Sequence, residues 1–462
     1  RSLACFSLLA LSLHTVASLL HTKILVYKIG GWPPPMGICM VLDGLTSFML
    51  VTVNLISFLI ALYSINYMER YTEKGKFYTL FMLMVAGMNG IIVTGDLFNL
   101  FVFLEIASIS SYALVAFGTE AEELEASFKY AVMGSVASSF ILLGIAILYS
   151  YTSTLNMADM AKVLSKDTSN VLKFVSVLFL MGFGLKAAMV PFHAWLPDAH
   201  PSAPASISAM LSGIFIKTLG VYALMRIFFN ILGVFQQLPF ILIILGLISM
   251  IIGGILAMAQ EDIKRMFAYS SISQVGYIIF ALGIGTPLAI LGGLFHLFNH
   301  AVFKSLLFLN SGAIEYTTDT RDLKRLSGLN KLPITGFTGL LASMSISGIP
   351  PLGGFFSKLV IIIAALQAGY FGPAAVAILV SIVTLAYYLK FQSLAFFGKP
   401  REDLENIREV PFFMCLAMII LAIICVVSGI LYLPLFRHFL QSAVDVLLNG
   451  KNYANLVLGA LR

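Results

Sequence analysis

The chain has 462 residues, 59% of them hydrophobic and only 11% charged, with a formal net charge of +6 and a mean hydropathy of +0.96. A soluble globular protein carries roughly 25% charged residues, so a soluble enzyme, a nucleic-acid binder and a disordered scaffold are excluded. The composition is that of an all-α polytopic membrane protein embedded in a lipid bilayer, and its positive balance reads as loop lysines and arginines facing the cytoplasm rather than as a nucleic-acid footprint.

The chain starts at Arg1, and the apolar run 3–20 behind it has no small-residue cleavage site and is longer than a signal-peptide core. It therefore reads as a true span, and the natural protein is expected to begin before Arg1. At roughly 20 residues per crossing, thirteen spans are expected. They fall near 3–21, 41–63, 77–95, 97–117, 128–150, 172–190, 205–228, 238–259, 267–286, 288–313, 333–368, 374–397 and 411–433. The sixth ends in Val190-Pro191 and runs into a proline-punctuated stretch. The eleventh is too long for one straight helix and is cut by Gly348-Ile349-Pro350-Pro351 and Gly353-Gly354. Proline lacks an N–H and frees a carbonyl four residues back, so both helices are expected to break. Irregular backbone at membrane depth survives only where protein or a water-filled cavity satisfies it.

Spans 3–7 and 8–12 form two runs of five, each broken in its fourth member. Because five is odd, the second copy must be inverted in the membrane, and inverted repeats with interrupted helices mark transport architectures. The expected organisation is N-terminal helices over 1–76, a first five-helix repeat over 77–230, a second over 231–398, and a C-terminal helix and tail over 399–462. Loops after even-numbered spans hold Arg70, Lys74, Lys76, Lys264, Arg265, Arg321, Lys324, Arg325, Lys331, Lys399, Arg401 and Arg408. Those after odd-numbered spans hold Lys23, Lys28, Lys162, Lys166, Lys173 and Arg226. The even side is expected to be cytoplasmic and the C-terminus outside. Trp32 and Trp195 sit near span ends, where interface anchors belong.

The informative residues are ionisable groups well inside spans. Glu105 sits in DLFNLFVFLEIASISSYALVAF, Lys186 in LFLMGFGLKAAMVPFHAWLPDAH and Lys217 in SAMLSGIFIKTLGVYALMR. His296, His300 and Lys304 share GGLFHLFNHAVFKSLLFL, and Lys358 follows the second break in GIPPLGGFFSKLVIII. A full charge at mid-bilayer costs about 2.5–3.5 kcal/mol on insertion scales, so these groups must face one another or water. Desolvation disfavours a charged lysine and a nearby carboxylate restores it, so a Glu–Lys pair at variable separation acts as a proton switch. Glu105 is the only mid-span carboxylate and is the expected partner of Lys186.

His296, His300 and Lys304 lie at spacings of four on one side of a helix. Two histidines so spaced can bind zinc, but the zincin glutamate is missing from the Leu-Phe-Asn between them. A structural pair and a proton relay are the other readings, the relay supported by a side chain that titrates near neutral pH. Elsewhere the residues suit plainer roles. Glu122, Glu123, Glu125 and Lys129 fit a solvated helix start with Glu125 and Lys129 paired, Asp43 a helix cap, and Gln260, Asp262, Lys264 and Arg265 a structural loop. His193, Asp198 and His200 after the first break suit either the mouth of a pathway or a cap on it. The cysteines, Cys5, Cys39, Cys415 and Cys425, include no CxxC pair, which leaves no case for a zinc site, an iron–sulfur cluster or a disulfide framework. No cofactor, metal site, redox centre or hydrolytic centre of its own is expected.

LDGLTSFML from Leu42, the Glu105 span, PFHAWLPDAHPSAPASISAMLSG with Lys217 after it, and AYSSISQVGY from Ala268 resemble one known family. HAVFKSLLFLNSGAIE from His300 and SGIPPLGGFFSKLV from Ser347 complete the set. It is the antiporter-like family shared by Mrp-type cation/proton antiporters, respiratory complex I and membrane-bound hydrogenases. The resemblance covers nearly the whole chain. It implies roughly fourteen helices with two inverted five-helix units, each forming half of a proton path; thirteen spans here imply one helix before Arg1. By the family pattern Glu105 and Lys186 look like the glutamate–lysine pair, and Lys217 like the lysine that passes the proton inwards. His296, His300 and Lys304 match the central and second-half relay, and Lys358 the terminal group. Lysine at 358, with no long lateral C-terminal helix, favours the Mrp D-type subunit and its hydrogenase relatives.

The expected function is that of a cell-membrane subunit moving protons, or exchanging them for sodium, along a buried Glu–Lys–Lys–His–Lys relay. It would work beside other membrane subunits of an antiporter or of a redox-driven oxidoreductase complex. Two other classes remain open at this point: a stand-alone proton-coupled transporter, and a quinone-linked subunit using His193 and Asp198.

Overall fold

The computed structural model describes residues 2–19, 22–165, 169–233, 238–398, 404, 407–430 and 437–460. The ends of the first and last expected spans, at 20–21 and 431–433, lie outside the described residues, as do the loop residues Lys166, Lys399 and Arg401. The chain begins with α1 (Ser2–Leu19), a hairpin of β1 (Leu25–Lys28) and β2 (Cys39–Leu42), α2 (Gly44–Tyr67), α3 (Lys74–Val93) and α4 (Leu97–Val115). There follow α5 (Ala121–Thr152), α6 (Met157–Leu164), α7 (Asn170–Lys186) and α8 (Leu196–Ser202). The next helix runs from Ala205 to Ile231. Its α-helical pieces are α9 (Ala205–Met210) and α10 (Ala223–Met225), and Leu211–Phe215, Lys217–Tyr222 and Arg226–Ile231 are π-helical. The second half comprises α11 (Leu238–Ala259), α12 (Ile263–Ile284), α13 (Pro287–Thr318), α14 (Pro333–Ser347), α15 (Gly353–Gln367) and α16 (Phe371–Ala395). Three helices close the chain: α17 (Phe412–Ile430), α18 (Arg437–Leu448) and α19 (Gly450–Ala460).

Among the described residues, eleven helices are long and apolar enough to cross a membrane. They are the thirteen expected spans less the two with breaks, because α7, α14 and α15 are each too short once interrupted. The second span starts later than expected: Val41 and Leu42 pair with Val26 and Leu25 in the hairpin. Hydropathy alone cannot separate such an apolar strand from a helix. The helix begins after Asp43, whose carboxylate accepts from the Thr46 backbone N–H at 2.9 Å, the cap the sequence suggests.

Burial sorts the helices. The best apolar windows of Ala205–Ile231 and of α13 are 100% buried, so these two helices are enclosed by protein. α5 and α16 bury only 39% of theirs, leaving apolar side chains such as Phe128 and Leu379 exposed. The polar residues tolerated in the two enclosed helices are therefore interior residues by construction.

One construction occurs in both halves. Asp96 caps α4, and the following backbone bridges to the segment after α5: Leu97 N–H donates to Leu155 O and Met157 N–H to Gly95 O, both at 2.9 Å. Asp262 caps α12, and Ile263 N–H donates to Arg321 O (3.1 Å) while Leu323 N–H donates to Glu261 O (2.9 Å), just after α13. The helices between, α5 and α13, are each 32 residues long.

Three residues sit elsewhere than expected. Arg226 is not a loop cation; it is 3% exposed, its guanidinium fork bound to both carboxylate oxygens of Asp43 at 2.7 and 2.9 Å. Lys264 is likewise buried, 2.8 Å from Glu315. Trp195 is no interface anchor: it stacks on Tyr130 with centroids 4.3 Å apart, and its indole N–H donates to Leu185 O at 3.0 Å. The expected tail beyond α17 includes two helices that return to the core. Phe439 meets Phe48 at 5.9 Å, Asn230 donates to Val446 O at 2.8 Å, and Tyr453 lies 5.4 Å beneath the Arg226 guanidinium.

Candidate functional site

Glu105 lies on α4, partly buried, and its carboxylate accepts a hydrogen bond from Ser138 of α5. Lys186 is the last residue of α7 and is 3% exposed. Its ammonium donates to Ser108 Oγ at 2.9 Å and to the Tyr112 hydroxyl at 3.3 Å. Ser108 stands three residues beyond Glu105 on one face of α4. The two charged groups thus face the same strip of helix without a direct ion pair among the described residues: each is held by a hydroxyl.

The break beyond Lys186 is satisfied by protein. Val190 N–H donates to Ser249 Oγ at 3.0 Å, and Trp195 takes the Leu185 carbonyl. The broken segment lies directly on the central helix, because a Cβ at Gly220 would fall 2.5 Å from the Ala187 backbone. One turn before that contact stands Lys217, 1% exposed, donating to the Ser212 carbonyl. It occupies a π-helical stretch, a local geometry common at functional sites. The Ser212 hydroxyl meets Ser271 Oγ of α12 at 2.7 Å.

On α13 the rings of His296 and His300 are 6.2 Å apart. His296 Nδ1 lies 2.9 Å from Ser357 Oγ, while both ring nitrogens of His300 are buried without a side-chain or backbone partner. Lys304 donates to Phe267 O at 2.7 Å and to the Tyr388 hydroxyl at 3.2 Å. Ser270, Tyr387 and Tyr388 continue this hydroxyl network at 2.8 and 3.1 Å. Lys358 follows the second break, donates to Ile346 O at 2.7 Å and lies 5.0 Å from the Tyr277 ring centroid. Its surroundings open into a cavity of about 250 Å³ between α15 and α16. The break itself turns at Gly348, whose φ of +83° a Cβ would strain.

Two further interior groups escaped the sequence reading or were left undecided by it. His200 is fully buried against Phe308 with neither ring nitrogen partnered, so it belongs to the interior and not to a surface cap. Gln274, fully buried in α12, likewise has both amide atoms unpartnered. A polar amide inside an apolar span was the signal available for it. Asp198 is a surface residue tied to Arg265 (2.9 Å) and Lys129 (3.7 Å), and Lys129 pairs with Glu125 at 2.7 Å as the spacing suggests.

A chemical division runs through these contacts. Arg226 and Lys264 are each matched to a carboxylate, whereas Lys186, Lys217, Lys304 and Lys358 donate to hydroxyls or backbone carbonyls. A neutral acceptor holds an ammonium without forming the fixed buried ion pair whose rupture is costly. The first set can act as braces, whereas the second is held by no ion pair among the described residues.

Broken helices and titratable side chains enclosed at membrane depth are the construction of an ion-translocating membrane protein. The chain belongs to the family described as NADH:quinone oxidoreductase/Mrp antiporter, transmembrane, whose model matches residues 94–386. Residues 29–78 match the model of the complex I chain 5 N-terminus. It is 36% identical to the D-type subunit of the Na(+)/H(+) antiporter of Alkalihalophilus pseudofirmus, across 98% of this chain and 92% of that protein. It is also 36% identical to the N-type subunit of the NADH-quinone oxidoreductase of Desulforudis audaxviator, across 90% and 87%. The fold superposes on a chain of the Mrp complex from a Dietzia species with a TM-score of 0.92 at 29% identity, covering 99% of this chain and 93% of that one. An archaeal membrane-bound sulfane sulfur reductase gives the same TM-score at 32% identity and the same coverage.

Proposed function

We propose that this chain is an ion-translocating subunit of a multisubunit cell-membrane complex, moving protons, exchanged for sodium where the complex is an antiporter. The proposed relay comprises Glu105, Lys186, Lys217, His296, His300, Lys304 and Lys358. The observation that carries it is the set of buried lysines bonded to neutral acceptors, with serine and tyrosine hydroxyls beside several of them and buried histidine nitrogens left unpartnered on α13. Grotthuss-type transfer needs such alternating donors and acceptors, each able to exist in two protonation states. His200, enclosed near the even-numbered loops, would link that side to the centre.

The two five-helix units, 77–230 and 231–398, act in this reading as inverted halves; the repeated Asp96 and Asp262 constructions and the paired breaks support it. The even-numbered loops are taken as cytoplasmic and the C-terminus as external. Removing the buried Arg226 and Lys264 from the loop tally leaves that charge asymmetry in place. Relatives that belong to Mrp and respiratory membrane complexes favour other membrane subunits as partners.

The test is Lys217→Ala in the reconstituted complex. Proton translocation, followed with a pH-sensitive dye in vesicles, is expected to fall by on the order of 10²-fold while the complex still assembles. Undiminished pumping would remove the relay.

A further inference from the structure

We propose that the cavity between α6, α7 and α19 binds the phosphate group of a membrane phospholipid. It has a volume of about 420 Å³, and its walls include Lys162 of α6, Lys173 and Ser176 of α7, and Asn455 of α19. It lies among the odd-numbered loops, apart from the relay. Its two lysines come from different helices, and neither has a carboxylate within ion-pair distance among the described residues. Ser176 lines the same space at 2% exposure, and its hydroxyl has no hydrogen-bond partner. A buried hydroxyl in that state calls for one. The N-terminal turn of α7, a 17-residue helix, adds the positive end of its dipole. Two ammonium groups, a free hydroxyl and a helix N-terminus form a donor set matched to a phosphate.

The exposed surface of α7 bears on the source of that phosphate. Val171, Phe174 and Val177, on a different face of α7 from Ser176, are 36%, 54% and 47% exposed, and Val163 of α6 is 51% exposed. The helix that bears Lys173 and Ser176 thus also presents apolar surface to its surroundings, which the acyl chains of a lipid can cover and a free phosphate ion cannot. Lysines at the membrane surface bind anionic headgroups in this manner.

The test uses the purified complex and native mass spectrometry with added phosphatidylglycerol, diacylglycerol or inorganic phosphate. Phosphatidylglycerol should be retained and diacylglycerol should not. Lys162→Ala with Lys173→Ala should lower retention about 10-fold, and Ser176→Ala, which removes only the hydroxyl, should lower it without changing the melting temperature. Equal retention by these variants would overturn the proposal. Displacement of the lipid by millimolar inorganic phosphate would overturn the lipid as the source. Photo-crosslinking of a probe at Lys173→Cys to another subunit instead of to lipid would overturn it in favour of a protein contact.

Discussion

Lys358 stands after the second break, yet its ammonium reaches back across it to the carbonyl of Ile346, the penultimate residue of α14, at 2.7 Å. A cation on the last turn of a helix satisfies an orphan carbonyl and meets the negative end of the dipole. Lys186 holds the other position, ending the helix before its break and turning to hydroxyls on α4. The two lysines are thus on opposite sides of the two interruptions, so the second is part of its break's structure as well as of the proposed relay.

This double role separates two substitutions. Lys358→Gln keeps a donor for Ile346 and is expected to stop translocation with little change in melting temperature. Lys358→Leu removes the donor as well and should also destabilise the complex, by about 1–3 kcal/mol for the unsatisfied buried carbonyl. Thermal unfolding and dye-monitored pumping measured on both variants check this; identical melting temperatures would refute it.

Ser108 is the contact between Lys186 and the α4 face that also carries Glu105. Ser108→Ala is expected to slow translocation about tenfold, the effect of losing roughly 1.5 kcal/mol of a hydrogen bond to a charged group. Combined with Lys186→Ala it should add nothing further, since both changes remove one interaction. Additive losses in the double variant would show that Ser108 acts elsewhere.

Asp43 and Arg226 tie the start of α2 to the end of the central helix, and through Asn230 and Tyr453 to α18 and α19. Asp43→Ala leaves a buried guanidinium uncompensated and is expected to cost roughly 3–5 kcal/mol. Asp43→Asn, which still accepts hydrogen bonds, should cost less. Melting temperature and yield of the purified complex measure this, and an unchanged melting temperature for Asp43→Ala would contradict it.

Lys324 and Glu261 make the contrasting case, a 2.6 Å pair with both side chains more than half exposed. The Glu261 hydrogen bond and charge raise the Lys324 ammonium above its ordinary value. A raised value means that any stabilisation is fully present below the unfolded lysine's value and is lost only as pH rises through the folded one. It is therefore constant across neutral pH and weakened by salt. Lys324→Gln is expected to leave melting and translocation unchanged between pH 6 and 8, as pH-resolved unfolding would show.

Much of this protein was legible from local pattern. Hydropathy located the eleven helices that are long and apolar enough to cross a membrane among the described residues, because a bilayer imposes a length and an apolarity on each helix that the chain must meet by itself. Pro191 and Pro350-Pro351 marked the breaks, since a missing N–H acts at its own position whatever surrounds it. Glu105, Lys186, Lys217, His296, His300, Lys304 and Lys358 stood out because charge inside an apolar run is costly wherever the run is placed.

The tertiary structure decided which charges are matched to which partners. Arg226 and Asp43 are separated by 183 residues, and no local pattern distinguishes a cation at the end of a span from one in a loop. Lys264 was drawn inside by Glu315 in the same way, and Trp195 by Tyr130. The expected Glu105–Lys186 contact became two separate hydroxyl contacts because Ser108 and Ser138 stand between α4 and its neighbours. The residue types of the proposed ion path stand out because of the solvent the chain lives in. Their pairing follows from packing, which brings together groups that the sequence keeps far apart.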